Sequence, residues 1–235
     1  MQLVLPVSFR KQDSLSTFVV ADNEHLLSYI QGVIEHGGET TQASQRICVI
    51  TAASGAGKSH LLLATCEQAS LQGLSHQYLD MLQIVHMPTE LLVGFINKDV
   101  VCIDNLQAID AQDDWQRAVF DTINQFIESN GRLLAIATSL PLSSIQYTLP
   151  DLETRLVWGT NFTLNSLSDD DKHQALIRHM DALGITYSDD VVAYIINRTS
   201  RNMHELINTL GQLDKASLEK KRKITIPFVK SILKL

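Results

Sequence analysis

The 235-residue chain is poor in cysteine: Cys48, Cys66 and Cys102 are an odd set with no metal-ligand spacing. A disulfide scaffold is thereby excluded. Cys48 and Cys102 lie inside apolar runs, where a free thiol behaves as a small core hydrophobe, so a reduced, cytoplasmic setting is expected. No apolar run approaches the roughly 20 residues that span a bilayer, which leaves no role in the membrane. The opening MQLVLPVSFRKQD lacks the charged leader and long apolar stretch of an export signal. Positive charge is short as well. With 19 Lys+Arg against 26 Asp+Glu the net charge is −7, which disfavours a general nucleic-acid binder on bulk electrostatics but leaves local basic clusters open. Internal repeats and low-complexity tracts are absent.

What is present is 45% hydrophobic residues in a chain long enough for one large domain or two small ones. Short β-branched runs alternate with amphipathic segments. Arg46–Thr51, His76–Asp80, Val100–Asp104, Leu133–Thr138 and Asn161–Leu164 read as strands, several of them continuously apolar, as in parallel strands buried on both faces. Helical segments fall near 58–72, 88–97, 113–130 and 150–157. This alternation predicts an α/β fold with an open parallel five-stranded sheet covered by helices. After about residue 166 only helical patterns remain. Ser168 before Asp169, Asp170 and Asp171 opens one helix and Gly184 ends it. Ser188 opens the next, a third runs over 202–218, and Pro227 sits in the first turn of a last one over 228–235. The expected division is a leader over 1–14, an α/β domain over 15–166 and a small all-helical domain over 167–235.

The most informative segment is Thr51-Ala-Ala-Ser-Gly-Ala-Gly-Lys-Ser-His60, between a predicted strand and a predicted helix. Gly55 and Gly57 let the backbone fold so that its N–H groups converge on an anion, above the positive end of a helix dipole. Ser54, Gly55, Ala56, Gly57, Lys58, Ser59 and His60 are therefore candidate nucleotide-binding residues. Lys58 would reach the β- and γ-phosphates and Ser59 would ligate Mg²⁺. The first glycine of the GxxxxGK[ST] pattern is replaced by Ala52. A second acidic position closes the strand Val100–Asp104, where Asp104 would hold Mg²⁺ through water. The next residue is Asn105, which hydrogen-bonds but cannot act as a base, so nucleotide binding with little hydrolysis is expected.

With the loop, the Asp104-Asn105 pair and the helical C-terminal region, the chain resembles the AAA+ ATPases of the DnaA clade, and within it the branch that inactivates the initiator. The resemblance runs through SLSTFVV, ASGAGKSHLL, VVCIDNLQAI, LLAIATSLP, LPDLETRLVWG, LSDDDKHQAL and KRKITIPFVKSILKL. It implies an AAA+ P-loop domain followed by a lid. It further implies that Gln2, Leu3, Leu5, Pro6 and Val7 form a peptide that docks on the DNA polymerase III sliding clamp (β subunit). Arg155 matches an arginine finger that acts on a neighbour's γ-phosphate, against the plainer reading of a surface arginine paired with Asp151. Thr138 or Ser139 matches the polar sensor at the end of the fourth strand, and Phe18, Val19 and Val20 an apolar shelf for the base. In the lid the family's phosphate-gripping arginine aligns with His204, with Arg201 one turn earlier as a substitute.

The expected function is negative regulation of replication initiation: an ADP- or ATP-bound protein contacts the DnaA initiator and the DNA-loaded clamp, and completes the initiator's ATPase site in trans. Homo-oligomerisation is open. The basic run Lys220–Lys223 reads as a solvated connection, and the end of the chain at Leu235 leaves no place for DnaA's helix-turn-helix domain, so sequence-specific DNA reading is not expected. The alternatives are a self-sufficient ATPase acting as a DnaC-like helicase loader, which steady ATP turnover would reveal, and a small-molecule P-loop kinase.

Overall fold

The structure, a computed structural model, describes residues 14–37, 42–95, 97–129, 131–199 and 202–234. In chain order the regular elements are α1 (Glu24–His36), β1 (Ile47–Thr51), α2 (Lys58–Leu71), β2 (His76–Asp80), α3 (Met81–Ile84), β3 (Val100–Asp104), α4 (Asp113–Glu128), β4 (Leu133–Thr138), α5 (Pro150–Trp158), β5 (Thr160–Thr163), α6 (Asp169–Ala182), α7 (Asp189–Arg198), α8 (Met203–Lys220) and α9 (Ile226–Leu233). The strands form a parallel sheet in the order β2-β3-β4-β1-β5.

The strand sequences explain their places. Every residue of β3 and β4 is buried, which is why both read as unbroken apolar runs, whereas the outer strands β2 and β5 alternate in burial. Side chains alternate between two cores. Ile47, Val49, Val101, Ile103, Leu134 and Ile136 pack with Trp115, Val119, Ile123 and Phe126 of α4 and Leu152 and Leu156 of α5. On the other face Cys48, Ile50, Cys102, Ala135 and Ala137 meet Leu26, Ile30 and Ile34 of α1 and Leu61, Leu62 and Cys66 of α2. The three cysteines are free and buried in this second cluster, as small core hydrophobes should be.

A third cluster is built from the C-terminal helices and the connection before α9, and includes Leu176, Met180, Val192, Ile195, Leu206, Leu210, Ile224 and Phe228. Ser168 caps α6 in a full capping box with Asp171, as the Ser-Asp-Asp-Asp sequence predicts. Asn202 caps α8 by accepting from the His204 N–H. Together these elements form a five-stranded parallel α/β sheet domain followed by a small helical region.

Four details differ from the sequence reading. Helix α1 was not anticipated. Its capping residue Asn23 sends its side chain to the Asn165 backbone, accepting from N–H and donating to C=O, rather than to its own helix. Residues 89–95 form a 3₁₀ segment in place of the helix expected over 88–97, with Pro88 and Gly94 interrupting an α-helical course. Arg46 precedes β1 instead of opening it; its guanidinium donates to Ile127, Ser129 and Gly131 carbonyls at the end of α4. The last helix starts at Ile226 and ends at Leu233.

Candidate nucleotide cleft

The strands' C-terminal edge and the lid enclose a cleft of about 670 Å³. Its floor is the loop after β1. Gly55 (φ +78°) and Gly57 (φ +100°) occupy the left-handed region that a β-carbon disfavours, and they turn the chain into α2 so that its N-terminus points into the cleft. All seven expected loop residues, Ser54 to His60, line it. Ala52, at the position of the missing glycine, is buried in the α1/α2 core and its backbone is not left-handed, so its methyl is accommodated without strain.

Lys58 is only 6% exposed, and its ammonium donates to the carbonyls of Ala52 and Ala53, each at 2.9 Å. Burial lowers its pKa, while the nearby Asp104 carboxylate opposes that shift. Asp104 is fully buried at the end of β3. One carboxylate oxygen accepts from the Asn105 N–H and the other from the Tyr78 hydroxyl, both at 2.8 Å. Burial and the adjacent Asp104 charge push the Tyr78 phenol well above the ordinary range, so it stays a neutral donor. Ser59, which lines the cleft, and the buried Asp104 carboxylate offer oxygen donors of the kind a hard cation takes. Among the described residues no cluster of three or more His, Cys, Asp or Glu could hold a metal ion. Mg²⁺ here would take its remaining ligands from phosphate and water.

A belt of polar side chains crosses the strand ends. Asn105 donates from Nδ2 to Asp80 Oδ1 (2.9 Å) and accepts at Oδ1 from Gln107 Nε2 (3.2 Å), while Gln107 Oε1 accepts from the Ser139 N–H (3.0 Å). Register places Asp80 directly beside Asp104. The Asn105 amide thus bonds one neighbour at each end, and Asn105 itself sits in the left-handed region (φ +57°).

Of the three residues expected to form a shelf, Phe18 and Val19 line the cleft, whereas Val20 is half-buried against the α1/α2 core and lies outside it. Phe18 meets the His60 ring edge-on at 5.6 Å, and His60 pairs with the Thr17 hydroxyl. The structure places the two sensor candidates differently. Thr138 is fully buried, its hydroxyl closing the turn at Leu140, and Ser139 faces the cleft instead. From the lid come Leu167, Ala175, His179, Met203, His204, Ile207 and Asn208. Arg201 and the leader residues Gln2, Leu3, Leu5, Pro6 and Val7 lie outside the described residues.

Arg155 does not line the cleft. It lies in the last turn of α5, which ends at Trp158 just before β5, the edge strand that pairs with β1. Among the described residues it forms no ion pair, so the alternative partner Asp151 is not used. The Lys220–Lys223 run is exposed at the end of α8 and in the connection that follows.

Sequence reasoning missed Tyr78, Asp80, Gln107, His179 and Arg178. Arg178 of α6 donates to the Phe18 carbonyl (2.9 Å), tying lid to shelf. The signal for Asp80 was available: His76–Asp80 and Val100–Asp104 both end in aspartate, and in-register parallel pairing puts the two side by side. Nothing in the sequence pattern marks the lid contacts.

Residues 169–233 match the family described as "Hda, lid domain". The whole chain is similar in structure to domain III of the Thermotoga maritima replication initiation protein DnaA, with a TM-score of 0.77 at 15% identity over 97% of this chain and 98% of that one. AMPPCP-bound DnaA from Aquifex aeolicus follows at TM-score 0.65 and 16% identity, covering 86% of this chain and 65% of that one. The Aeropyrum pernix ORC2 protein in ADPNP and ADP complexes reaches 0.64 at 11% identity, covering 100% and 70%. At these identities the structural likeness is one of fold, and the match to the Hda family covers the lid segment.

Proposed function

We propose that this chain is a nucleotide-bound regulator of replication initiation that acts on a partner's ATP. In this reading the phosphate loop, with Lys58 on the phosphates, holds ADP or ATP in the cleft; Phe18 and Val19 bed the base, and His204 approaches from the lid. Ser59 and Asp104 would hold Mg²⁺, which when bound offsets phosphate charge and orients the phosphate oxygens. The bound nucleotide draws sheet and lid together and so sets the shape presented to the partner.

The observation that carries this reading is the pairing of Asn105. Hydrolysis requires a group that orients or deprotonates the attacking water. The residue after Asp104 is an amide, which cannot take a proton from water, and it is held in place by bonds to Asp80 and Gln107. Weak turnover of the chain's own nucleotide follows.

Arg155, which does not line its own cleft, then serves another molecule. Its guanidinium would approach the γ-phosphate of ATP held by DnaA, while a water attacks phosphorus and the bond to the β-phosphate oxygen breaks. The planar fork offsets charge building on the equatorial oxygens. Residues 2–7 dock the chain on the DNA-loaded clamp through apolar anchors and a glutamine, so hydrolysis is tied to replicated DNA. The lid match to Hda, the regulatory inactivator related to DnaA, supports this assignment.

The deciding experiment follows labelled ATP pre-bound to DnaA in the presence of DNA-loaded clamp. The wild-type chain should accelerate hydrolysis and Arg155→Ala should remove about 10³-fold or more of that acceleration, the scale of an arginine finger. Equal acceleration by both proteins would sink the finger assignment. Steady ATP turnover by the chain alone would favour the helicase-loader alternative.

A further inference from the structure

The Arg155 guanidinium carbon lies 5.7 Å from the centroid of the Trp158 ring, three residues later on the same turn of α5. Two carboxylates are close in sequence, Asp151 and Glu153, yet among the described residues Arg155 forms no ion pair. Trp158 itself is 44% exposed, and its neighbour Val157 58%, at the end of a short helix where burial does not account for a large aromatic.

Resting on the reading of Arg155 as a finger, we infer that Trp158 is its positioning residue: an aromatic platform that fixes the guanidinium plane without neutralising it. A carboxylate partner would hold an arginine more firmly, but it would occupy N–H donors and cancel the charge that a phosphate must feel. A ring face attracts the cation through its quadrupole and leaves the in-plane donors to point outward. Restricting a long side chain beforehand removes ordering cost from the moment of engagement, so the gain falls on the catalysed step rather than on docking. The i,i+3 spacing achieves this locally, within one helical turn.

The test titrates this protein against ATP-charged DnaA with DNA-loaded clamp and separates the maximal hydrolysis rate from the concentration giving half of it. Trp158→Leu should lower the maximal rate about two- to fivefold, the size of an exposed cation–π contact, with the half-maximal concentration unchanged. Trp158→Phe, which keeps a ring face, should recover most of the loss. An unchanged maximal rate in Trp158→Leu overturns the proposal. So does a loss confined to the half-maximal concentration, which would make Trp158 a docking contact, and so does a Phe variant no better than Leu, which would make it a packing residue. Arg155→Ala run in parallel separates the two levels. If that variant is as active as wild type, the finger reading falls and the platform with it; if it is inactive while Trp158→Leu matches wild type, only the platform falls.

Discussion

At the scale of single residues, the cleft is set by positions where a few atoms decide whether the backbone can approach an anion. Gly55 is the sharpest of them. Its φ of +78° is unfavourable for any residue with a β-carbon, and a β-carbon built there would lie 2.6 Å from Asn202 Oδ1. That oxygen is not idle, since it accepts the His204 N–H as the cap of α8. Gly55→Ala therefore meets two penalties: about 1–2 kcal/mol for a left-handed alanine, and either a clash or loss of a cap worth about 1 kcal/mol. Nucleotide affinity of Gly55→Ala measured by titration should fall about tenfold or more. Asn202→Ala added to it should recover only the part due to the clash, because the backbone strain remains; full recovery would show that the backbone conformation matters little. This position was legible in the sequence because Gly-x-Gly-Lys-Ser carries its own backbone requirement. Asn202 was not, because its partner is a glycine some 150 residues away and a Gly–Asn contact leaves no periodic trace.

At the scale of elements, strands were read more accurately than helices, and the reason is burial. A strand covered on both faces has to be apolar at every position, so Val100–Asp104 and Leu133–Thr138 announce themselves with little ambiguity. Helix α1 carries Gly32 and β-branched residues in its middle and spends its capping asparagine on the lid junction, so its signal is diluted. The entry of β3 depends on a clamp that no strand pattern shows. Asp99 Oδ2 accepts from the Ser75 N–H (2.8 Å) and hydroxyl (2.6 Å), and the Ser75 oxygen accepts in return from the Asp99 N–H. Burial raises the Asp99 pKa, but the Ser75 hydrogen bonds and the Arg132 charge outweigh it and hold the carboxyl below the usual range. The folded state thus favours the ionised form. Its contribution is present above the unfolded value, near 4, and is lost as pH falls through the lower folded value. Asp99→Asn should be less stable than wild type by about 1 kcal/mol near neutral pH, and the difference should shrink in denaturant titrations at progressively lower pH. A gap that stays constant down to pH 2 would assign the loss to packing rather than to charge.

At the scale of the whole molecule, two sheet-flanking cores and one lid core share a single cleft, and few polar ties cross between them. Arg178 reaches the Phe18 carbonyl, Asn23 holds Asn165 where the sheet chain leaves for the lid, and Asn202 rests against Gly55. The apolar cluster of the lid contains no residue before 176, so its packing is internal to the lid, and these ties, with what fills the cleft, help join it to the sheet. A ligand that touches both sides stabilises the joined form by mass action. Nucleotide at 100 times its Kd adds about 2.7 kcal/mol, which for a chain of this length raises Tm by roughly 5–10 °C. The same closure should appear locally. Hydrogen exchange of the Met203–Asn208 amides should slow on adding nucleotide, together with that of the loop Ser54–Ser59. In Arg178→Ala, whose lid has lost a tie but no group from the cleft wall, the loop should still be protected while the α8 amides gain less. Protection confined to the loop in the wild-type chain would mean that the lid does not read the nucleotide. The coupling from bound phosphate to the shape of the partner-facing surface, on which a regulator of this kind depends, would then have to run through the sheet and α5 alone.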